Sequence, residues 1–524
     1  MKKRIQSIAT YILLLMPLWG LGSCSMDLEP QGTIPDTEAL NTINDFQSFS
    51  IGLSAQMRSI TTGDYVVLSD IQLDDFNAVI DNGNRRMEFY NGQVTPSTGE
   101  VGAIYSGYYS VIAETNFMIE RGVKRLEDKS LTETDRKRLS YYVGMAYFYR
   151  AYCYSGLADK FCQSYKNCAD RDKEGTGLSL QLVYAPTADS SKYPGRSSLT
   201  KTYEQIVSDL TAANQLMSVA GEDNIASEDG SIPSVDAVSA MLARVYLNMG
   251  DDTKAAEYAV NVINTRRYNL IADKKKFHNL WFRDKGDETD GTEIIWKVSA
   301  DYSHHGSATG DAFWSDANPD YVPNNNAVYL FDEQDTRWYA WFSNELSENM
   351  VAKQKKVEIS GIGSALMFVF AKYPGNPDLQ PAGANASNLV NMSKPLHIGE
   401  MYLIAAEAYF NLDNEPMAKN YLSTLEDKRH TGINVNNLSG DKLQAEIYNE
   451  RHRELMGEGL RQADLKRWNK GCKRSDAFDG NNIVVISNYR NLEYEPGDYR
   501  LTWPIPQHEM ETNPQLAGQQ NPGY

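Results

Sequence analysis

One stretch of the sequence combines aromatic rings and small polar residues in a way that could bind a sugar. Residues 301–321 read DYSHHGSATGDAFWSDANPDY, and no helical periodicity accounts for the rings. An aromatic ring can stack on the C–H face of a pyranose, while Asn, Asp and His side chains bond its hydroxyl groups. Alternatively, the rings pin a long loop to the scaffold beneath it. The rings in question belong to Tyr302, Phe313, Trp314 and Tyr321.

The chain shows none of the common catalytic or metal-binding motifs. It lacks the GxxxxGK[ST] phosphate loop, the GxSxG elbow, the HExxH helix and the EF-hand spacing. His304 and His305 are adjacent, so their rings do not share the i, i+4 spacing of a helical metal site. A carboxylate pair for glycoside hydrolysis leaves no sequence signature and stays open. We predict no catalytic residue, metal or cofactor, and we favour a solvated loop over a calcium site at Asp284, Asp287, Glu288 and Asp290.

The N-terminus has the three parts of an export signal. Lys2, Lys3 and Arg4 precede an apolar run over residues 8–21, and small residues then lead into Cys24. The run is roughly 14 residues, short of the ~20 that span a bilayer as a helix. Leu-Gly-Ser-Cys resembles a bacterial lipobox, which predicts a signal peptide over 1–23, acylation of Cys24 and a flexible lead over 24–36. The alternative is an ordinary secreted protein in which Cys24 is incidental.

The charge balance excludes some classes of partner. The chain has 51 basic and 69 acidic residues, and removing residues 1–23 takes the formal net charge from −18 to −21. Nucleic acids and anionic headgroups need a basic face, so neither is expected as a partner. The remaining cysteines contain no CxxC motif. An oxidising compartment permits a disulfide between Cys162 and Cys168, although unpaired thiols are favoured.

Helical patterns dominate the mature sequence and define the elements that must position the loops. Long helices are predicted over 139–161 and 202–217. Two helical pairs can be superposed, because Tyr246 precedes Ala255 and Tyr409 precedes Ala418 by the same nine residues. Small residues that let antiparallel helices approach, with a tyrosine between them, are typical of tetratricopeptide units. The pairs are predicted over 235–248 with 252–264, and over 398–411 with 415–428.

Long segments of the opposite character separate these helices. Residues 60–104, 162–198, 278–345 and 350–395 are rich in Gly, Asn, Asp, Pro and aromatic residues. Short strands are predicted within them over 293–298 and 365–370. The expected fold is therefore mainly α, a tetratricopeptide-like scaffold of helical pairs with long irregular loop insertions and short strands.

The C-terminal third resembles the SusD/RagB family of outer-membrane nutrient-binding lipoproteins. The resemblance rests on EMYLIAAEA over 400–408, on ERHREL, EGLR and DLKRW between residues 450 and 468, and on the ending WPIP…NP…QNPGY. EIIW over 293–296 and DTR over 335–337 also fit. Two positions depart from the family pattern: Val101 replaces a frequent tryptophan, and His397 a frequent arginine. A helix is expected over about 442–468, and its charged signature residues are expected to form ion pairs that link adjacent turns and neighbouring helices.

The resemblance implies a fold, a function and a location. It implies a single domain over 37–524, whose family-typical C-terminal region covers about 270–524. It also implies a non-catalytic protein of the Gram-negative outer membrane that captures an oligosaccharide and delivers it to a TonB-dependent SusC-like transporter. A structural lid with little sugar affinity, a peptide-capturing protein and a glycoside hydrolase remain alternatives. Within the regions that the resemblance favours, Tyr302, Trp314 and Tyr321 are the expected sugar platform, with Asp75 and Asn77 as hydroxyl partners.

Overall fold

The computed structural model describes residues 39–185, 189–221, 230–284, 292–314, 319–342, 354–359, 361–476, 483–485 and 492–524. The predicted signal peptide, Cys24 and the flexible lead lie outside the described residues. Helices dominate, as the sequence predicts. They are α1 Ile43–Ile60, α2 Asp64–Gln72, α3 Met87–Tyr90, α4 Gly99–Leu126, α5 Glu133–Phe161, α6 Leu199–Ala220, α7 Val235–Met249, α8 Asp252–Asn264, α9 Lys274–Phe282, α10 Asn325–Tyr329, α11 Thr336–Trp341, α12 Ile398–Asn411, α13 Glu415–Arg429, α14 Asp441–Leu455, α15 Arg461–Trp468 and α16 Gln507–Thr512.

Local signals in the sequence set the ends of these helices. Gly250 ends α7 in the left-handed conformation at φ 78°, which only glycine adopts without strain. Asp251 then caps α8, since its side chain accepts a hydrogen bond from the backbone N–H of Lys254. The second pair is divided in the same way by Asn414, whose side chain caps α13 at Met417. Both turns are short enough to keep the paired helices antiparallel.

The two predicted helical pairs are confirmed and are internally alike. Tyr246 stacks on Tyr258 with ring centroids 5.7 Å apart and 13° between the planes. Tyr409 stacks on Tyr421 at the same 5.7 Å and 2°. Helices α4 to α8 pack each against the next, and α12 then continues the stack between α8 and α13. The buried alanines of the pairs, including Ala259 and Ala405, allow this close approach.

Short antiparallel ribbons tie the insertions together. The strands pair as β1 Phe76–Ala78 with β3 Tyr321–Pro323, β2 Ile294–Trp296 with β6 Leu396–His397, β4 Lys355–Ile359 with β5 Gly363–Met367, and β7 Cys472–Lys473 with β8 Glu493–Tyr494. The insertions have an aromatic core of their own, beside the core of the helical stack. Its members include Phe76, Phe313, Trp338, Trp341 and Phe370.

The expected single helix over 442–468 is wrong, because α14 ends at Leu455 and α15 begins at Arg461. Gly457 and Gly459 lie between them at φ 77° and 74°. A Cβ at Gly457 would collide with the Phe370 ring, and one at Gly459 would lie 2.7 Å from the Val66 carbonyl oxygen. These two glycines therefore allow the turn to pack closely against α2 and the aromatic core. Their positive φ angles interrupt the helix that was expected to run through this segment.

Buried ion pairs join the insertions to the helical stack. Arg429 on α13 binds Glu293 beside β2 and Glu454 on α14, at 2.8 and 2.6 Å. Arg337 on α11 binds Glu450 and Glu454 at 2.8 and 3.0 Å. All of these side chains are almost fully buried. The family signature residues therefore link neighbouring elements, which is one of the two kinds of ion pair expected of them.

Three further expectations concern thiols, acids and membrane spans. Cys153, Cys162, Cys168 and Cys472 are free thiols. Asp284, expected in a solvated loop, is instead buried, and its Oδ1 lies 2.5 Å from the Lys394 ammonium. The other three acids of that segment lie outside the described residues. Among the described helices, none is long and apolar enough to cross a membrane.

Candidate ligand-binding face

The β1–β3 ribbon brings together the two loop regions that the resemblance favours. Ala78 pairs with Tyr321 and Asn77 with Val322, and the Asn324 backbone N–H donates to the Asp75 carbonyl at 2.9 Å. Residues far apart in sequence therefore meet on one two-stranded element. The convergence of the two regions is what the expected site requires.

The side chains of this ribbon, however, face inward. Phe313 is 1% exposed and stacks on Phe76 with centroids 4.4 Å apart. Tyr321 is fully buried, and its hydroxyl donates to the Arg85 carbonyl at 2.6 Å. Neither ring has a free face for a sugar. The expectation that Phe313 and Tyr321 form a sugar platform is corrected: they are core residues that pin the loop.

Trp314 is also buried, at 3% exposure. It packs in a small apolar cluster with Val322, Val357 and Met367, and the Lys355 ammonium lies 3.9 Å from the centre of its ring. A cation over the ring occupies the surface that a pyranose would need. Trp314 therefore anchors the β4–β5 ribbon, and its expected role as a sugar contact is corrected too.

The two expected hydroxyl partners are already engaged. Asp75 is 1% exposed, and its Oδ1 lies 2.6 Å from Nε2 of His452 on α14. Asn77 is fully buried; its amide donates to the Ser475 carbonyl at 2.8 Å, and its oxygen accepts from the Tyr90 hydroxyl at 3.3 Å. These side chains lock β1 to the C-terminal elements and are corrected from ligand contacts to structural residues.

Tyr302 is the one expected aromatic contact that is exposed, at 59%. The turn around it is built by Asp301, whose Oδ1 accepts from the backbone N–H groups of Ser303 and His304, both at 2.8 Å. Hydrogen bonds from Ser303, and then from His304, hold the pKa of the Asp301 carboxyl below its ordinary value. An ionised, locally bonded carboxylate therefore fixes the turn that presents the ring.

The Tyr302 loop is seated on the start of α2. The Ser307 backbone N–H donates to the Thr62 hydroxyl at 2.9 Å, and the Gly63 N–H donates to the Thr309 hydroxyl at 3.1 Å. A Cβ at Gly306 would collide with the Thr62 hydroxyl, so only glycine allows this approach. Each segment donates one backbone hydrogen bond to a hydroxyl group of the other, and the two bonds together fix the position of the loop.

A cluster of arginines and aspartates adjoins this seat. Arg86 binds Asp64 and Asp311 at 2.7 and 3.0 Å, and Arg85 binds Asp320 at 2.6 Å. Burial lowers the pKa of the Arg86 guanidinium, but the carboxylates of Asp311 and Asp64 more than offset this, so the pKa lies above its ordinary value. The Arg85 side chain remains 53% exposed, whereas that of Asp320 is 5% exposed.

Sequence reasoning missed the turn that carries Arg85. Residues 81–86 read DNGNRR and directly follow β1 and Val79. Asp81, Asn84 and Arg86 all have positive φ, at 71°, 57° and 61°. Such conformations in non-glycine residues are uncommon and concentrate at functional sites. The Asn-Gly-Asn run was the available signal, although it indicates a turn rather than a ligand.

The two loops are connected where Asp311 contacts Arg86. We give the name capture face to their exposed side chains: Asp81, Asn84, Arg85, Tyr302, His304 and His305. It offers one flat ring together with carboxylate, amide, guanidinium and imidazole groups. Such a set can stack on a sugar ring and exchange hydrogen bonds with its hydroxyls. The face carries charges of both signs, which favours a neutral, hydroxyl-rich ligand over a highly charged one.

Three clusters of His and acidic side chains bring potential metal-ligand atoms within 4.8 Å of one another in the part of the chain that the structure describes. Each already contains cationic partners. Arg461 binds Asp74 in the first, Arg429 binds Glu293 and Glu454 in the second, and Arg453 contacts all three glutamates of the third. These clusters serve the buried ion-pair network.

Comparison with known proteins agrees with this architecture. The SusD family model matches residues 246–524, and a second model, described as "Starch-binding associating with outer membrane", matches residues 27–247. The chain therefore belongs to the SusD family. SusD-like protein P2 of Formosa agariphila is 25% identical over 98% of this chain and 99% of its own length.

Solved structures show the same fold. A SusD superfamily protein from Bacteroides thetaiotaomicron has a TM-score of 0.73 and 24% identity, and covers 92% of this chain and 100% of its own. A SusD-like carbohydrate-binding protein from Bacteroides vulgatus has a TM-score of 0.68 and 18% identity, with 91% and 98% covered. The likeness extends over the helical stack and the insertions together.

Proposed function

We propose that this protein is a non-catalytic glycan-binding lipoprotein of the Gram-negative outer membrane. On this proposal Cys24 carries the lipid anchor, and the capture face binds an oligosaccharide for delivery to a TonB-dependent SusC-like transporter. The single observation that carries the proposal is the exposed Tyr302 ring. A bonded turn presents it on the loop that continues to Asp311, and Asp311 contacts Arg86 of the polar turn over 81–86. The membership of the SusD family supports both the binding role and the outer-membrane location.

Four carboxylates next to the capture face are already paired or hydrogen-bonded, which supports binding without chemistry. Asp64, Asp311 and Asp320 are engaged by Arg85 or Arg86, and Asp301 is engaged by its own turn. A general acid for glycoside hydrolysis needs a carboxyl with a raised pKa beside the scissile bond. Burial raises the pKa of Asp320, but Arg85 opposes that shift, and hydrogen bonds hold the pKa of Asp301 below its ordinary value.

Binding is tested by calorimetry on the mature chain carrying Cys24→Ala, against hexasaccharides of α-glucan, xylan, mannan and galacturonan and a mucin-type glycan. At least one of the five should bind, without release of reducing ends. If none binds, capture of these glycans is wrong and the structural-lid or peptide-capture alternative gains. If reducing sugar appears, and one carboxylate substitution abolishes it, the protein is a hydrolase.

Delivery is tested separately, on the native membrane. The lipidated chain is purified in mild detergent, and the proteins that accompany it are identified by mass spectrometry. A TonB-dependent transporter should be recovered in stoichiometric amount. Recovery of the intact lipoprotein without such a transporter would contradict the delivery step and leave the binding step standing.

A further inference from the structure

A groove, distinct from the capture face, lies at the C-terminal end of α3. The turn over 81–86, which belongs to the capture face, lies at the N-terminal end of the same helix. Residues 81–86 precede α3, whereas Asn91, Gly92 and Gln93 follow it and meet the C-terminal segment at Tyr499 and Arg500. The groove has a volume of about 690 Å³. This is within the ~300–1,000 Å³ range of small-molecule sites. None of these side chains belongs to the capture face.

Tyr499 gives the groove an aromatic wall. Its ring is 48% exposed, although it belongs to an ordered 3₁₀ turn over Tyr499–Leu501. Tyr524 packs edge-on against it with centroids 5.3 Å apart and 74° between the planes. Gly523, at φ 94°, lies so close that a Cβ there would collide with the Tyr499 ring. The C-terminus therefore supports this ring from one side and leaves the rest open.

The polar groups of the groove are fixed by their neighbours. Nε of Arg500 donates to Asp498 at 2.9 Å, and Nη2 donates to the Glu493 carbonyl at 2.9 Å. The guanidinium is thus neutralised by Asp498 and held in one orientation. Its Nη1 lies 3.5 Å from the position that a Cβ would take at Gly92. A neutralised pair suits hydroxyl groups better than an anion.

Gly92 leaves a notch in the floor of the groove. At φ 64°, a Cβ there would lie 2.9 Å from the Tyr494 hydroxyl and 3.0 Å from a Leu492 methyl group. At the edge of this notch, the Asn91 amide oxygen is buried without a hydrogen-bond partner among the described residues. Buried polar groups are normally satisfied, so an unsatisfied amide oxygen at the edge of an open groove is suited to accept a hydrogen bond from a ligand.

We propose that this groove is a second carbohydrate site, which takes a pyranose unit of a neutral glycan. Tyr499 stacks on the C–H face of the sugar, and Asn91 and the Asp498–Arg500 pair exchange hydrogen bonds with its hydroxyls. The inference rests on the proposed function, because it extends glycan binding to another part of the same chain. Two separated sites would let one chain hold a glycan at two points, which raises avidity without new contacts at either site.

The test compares Tyr499→Ala, Asn91→Leu and Tyr302→Ala with the unaltered chain, by calorimetry on the glycan panel defined above. Tyr329→Ala is the matched control, since that ring is 65% exposed at the end of α10, beyond the opposite end of the β1–β3 ribbon from the capture face. Removal of the Tyr499 ring should weaken binding about tenfold, or remove one of two binding events, and the control should not. If Tyr499→Ala fails to fold, the affinity of Asn91→Leu tests the groove in its place, and this variant should also bind more weakly than the unaltered chain.

The outcomes separate the two proposals. Loss of affinity in Tyr499→Ala or Asn91→Leu, with the control unchanged, supports the groove. Affinity within twofold of the unaltered chain in both variants, for every glycan that binds, overturns the groove and leaves the capture face intact. If only Tyr302→Ala loses affinity, the groove proposal is likewise overturned and the capture face stands. If no glycan of the panel binds the unaltered chain, both proposals are wrong.

Discussion

Arg429 and Glu454 form a two-point buried ion pair between α13 and α14. Nη2 of Arg429 lies 2.6 Å from Oε1, and Nε lies 2.9 Å from Oε2. The same guanidinium also binds Glu293, which leads into β2 and onward to the Tyr302 loop. One side chain thus joins the helical stack to the insertion that presents the capture face. The attachment of β2, and of the loop that follows it, therefore depends on this buried charge.

Glu454→Gln should destabilise the protein by about 3–5 kcal/mol, because it leaves Arg429 and Arg337 buried with incomplete neutralisation. The free energy of unfolding in urea measures the effect. Glu358→Gln is the matched control: it removes an ion pair with Lys356 in which both side chains are more than 60% exposed, at 68% and 62%. Such a pair contributes about 0–1 kcal/mol. Equal losses in the two variants would show that burial does not matter here.

Glu458 should make stability fall at acid pH. Burial raises its pKa, but Lys372 and His397 more than offset this and lower the pKa to about 2, from 4.5. The stabilisation is therefore fully present above pH 4.5 and is lost as the pH falls towards 2. Glu458→Gln should flatten this part of the curve, measured as the free energy of unfolding at pH 6, 4 and 3. An unchanged slope would assign the acid sensitivity to other carboxylates.

Asp70 should act in the opposite direction. Burial, and then the charge of Asp75, raises its pKa to about 8, from 3.8. The unfolded carboxyl ionises from pH 3.8 upward while the folded one keeps its proton to about pH 8, so the folded state becomes progressively less favoured between these values. Asp70→Asn should stabilise the protein at pH 7 relative to pH 4 by at least about 1 kcal/mol. An equal change at both pH values, in the same urea measurement, would contradict this.

The sequence predicted the helical scaffold well because its determinants are local. The Tyr246 and Tyr409 pairs follow from spacing, and Gly250 and Asn414 mark where their helices divide. The break between α14 and α15 was missed because the contact of Gly457 with Phe370 is formed by the tertiary structure and has no local pattern. The segments before and after the break both have helical periodicity, so the sequence pattern predicts one continuous helix.

The sequence indicated two loop regions, and the structure brings them together, but the sequence did not indicate which of their side chains are exposed. Phe313, Trp314 and Tyr321 have the composition of a sugar platform, yet all three are buried. Tyr321 is in a strand that pairs with a partner more than two hundred residues away, and Phe313 stacks on a ring of that partner strand. Only Tyr302 is exposed. Whether a loop aromatic faces solvent or core depends on its distant partners, such as Phe76 for Phe313, and that information is absent from the local sequence.

Trp314→Ala and Tyr302→Ala should therefore have different effects. Removal of the buried Trp314 ring should cost about 3–5 kcal/mol of stability, as for other core aromatics. Tyr302→Ala should change stability by less than about 0.5 kcal/mol, since the ring is largely exposed. It should instead weaken binding of the best-bound glycan about tenfold. Urea unfolding and calorimetry on both variants separate the two roles. If Trp314→Ala weakened glycan binding without loss of stability, and Tyr302→Ala did the opposite, Trp314 would be a ligand contact after all.

Cys24→Ala should separate anchoring from recognition. Cys24 is proposed to carry only the lipid, and the capture face is built from residues 81–86 and 299–308 of the folded domain. The variant should unfold at the same urea concentration and bind the same glycan with the same affinity as the lipidated protein. It should nevertheless leave the membrane fraction, because several acyl chains give firm attachment and their loss leaves no anchor of comparable strength. Fractionation of cells that express each form measures this. A Cys24→Ala protein that stays in the membrane fraction would show that contacts of the folded domain, rather than the lipid, hold it there.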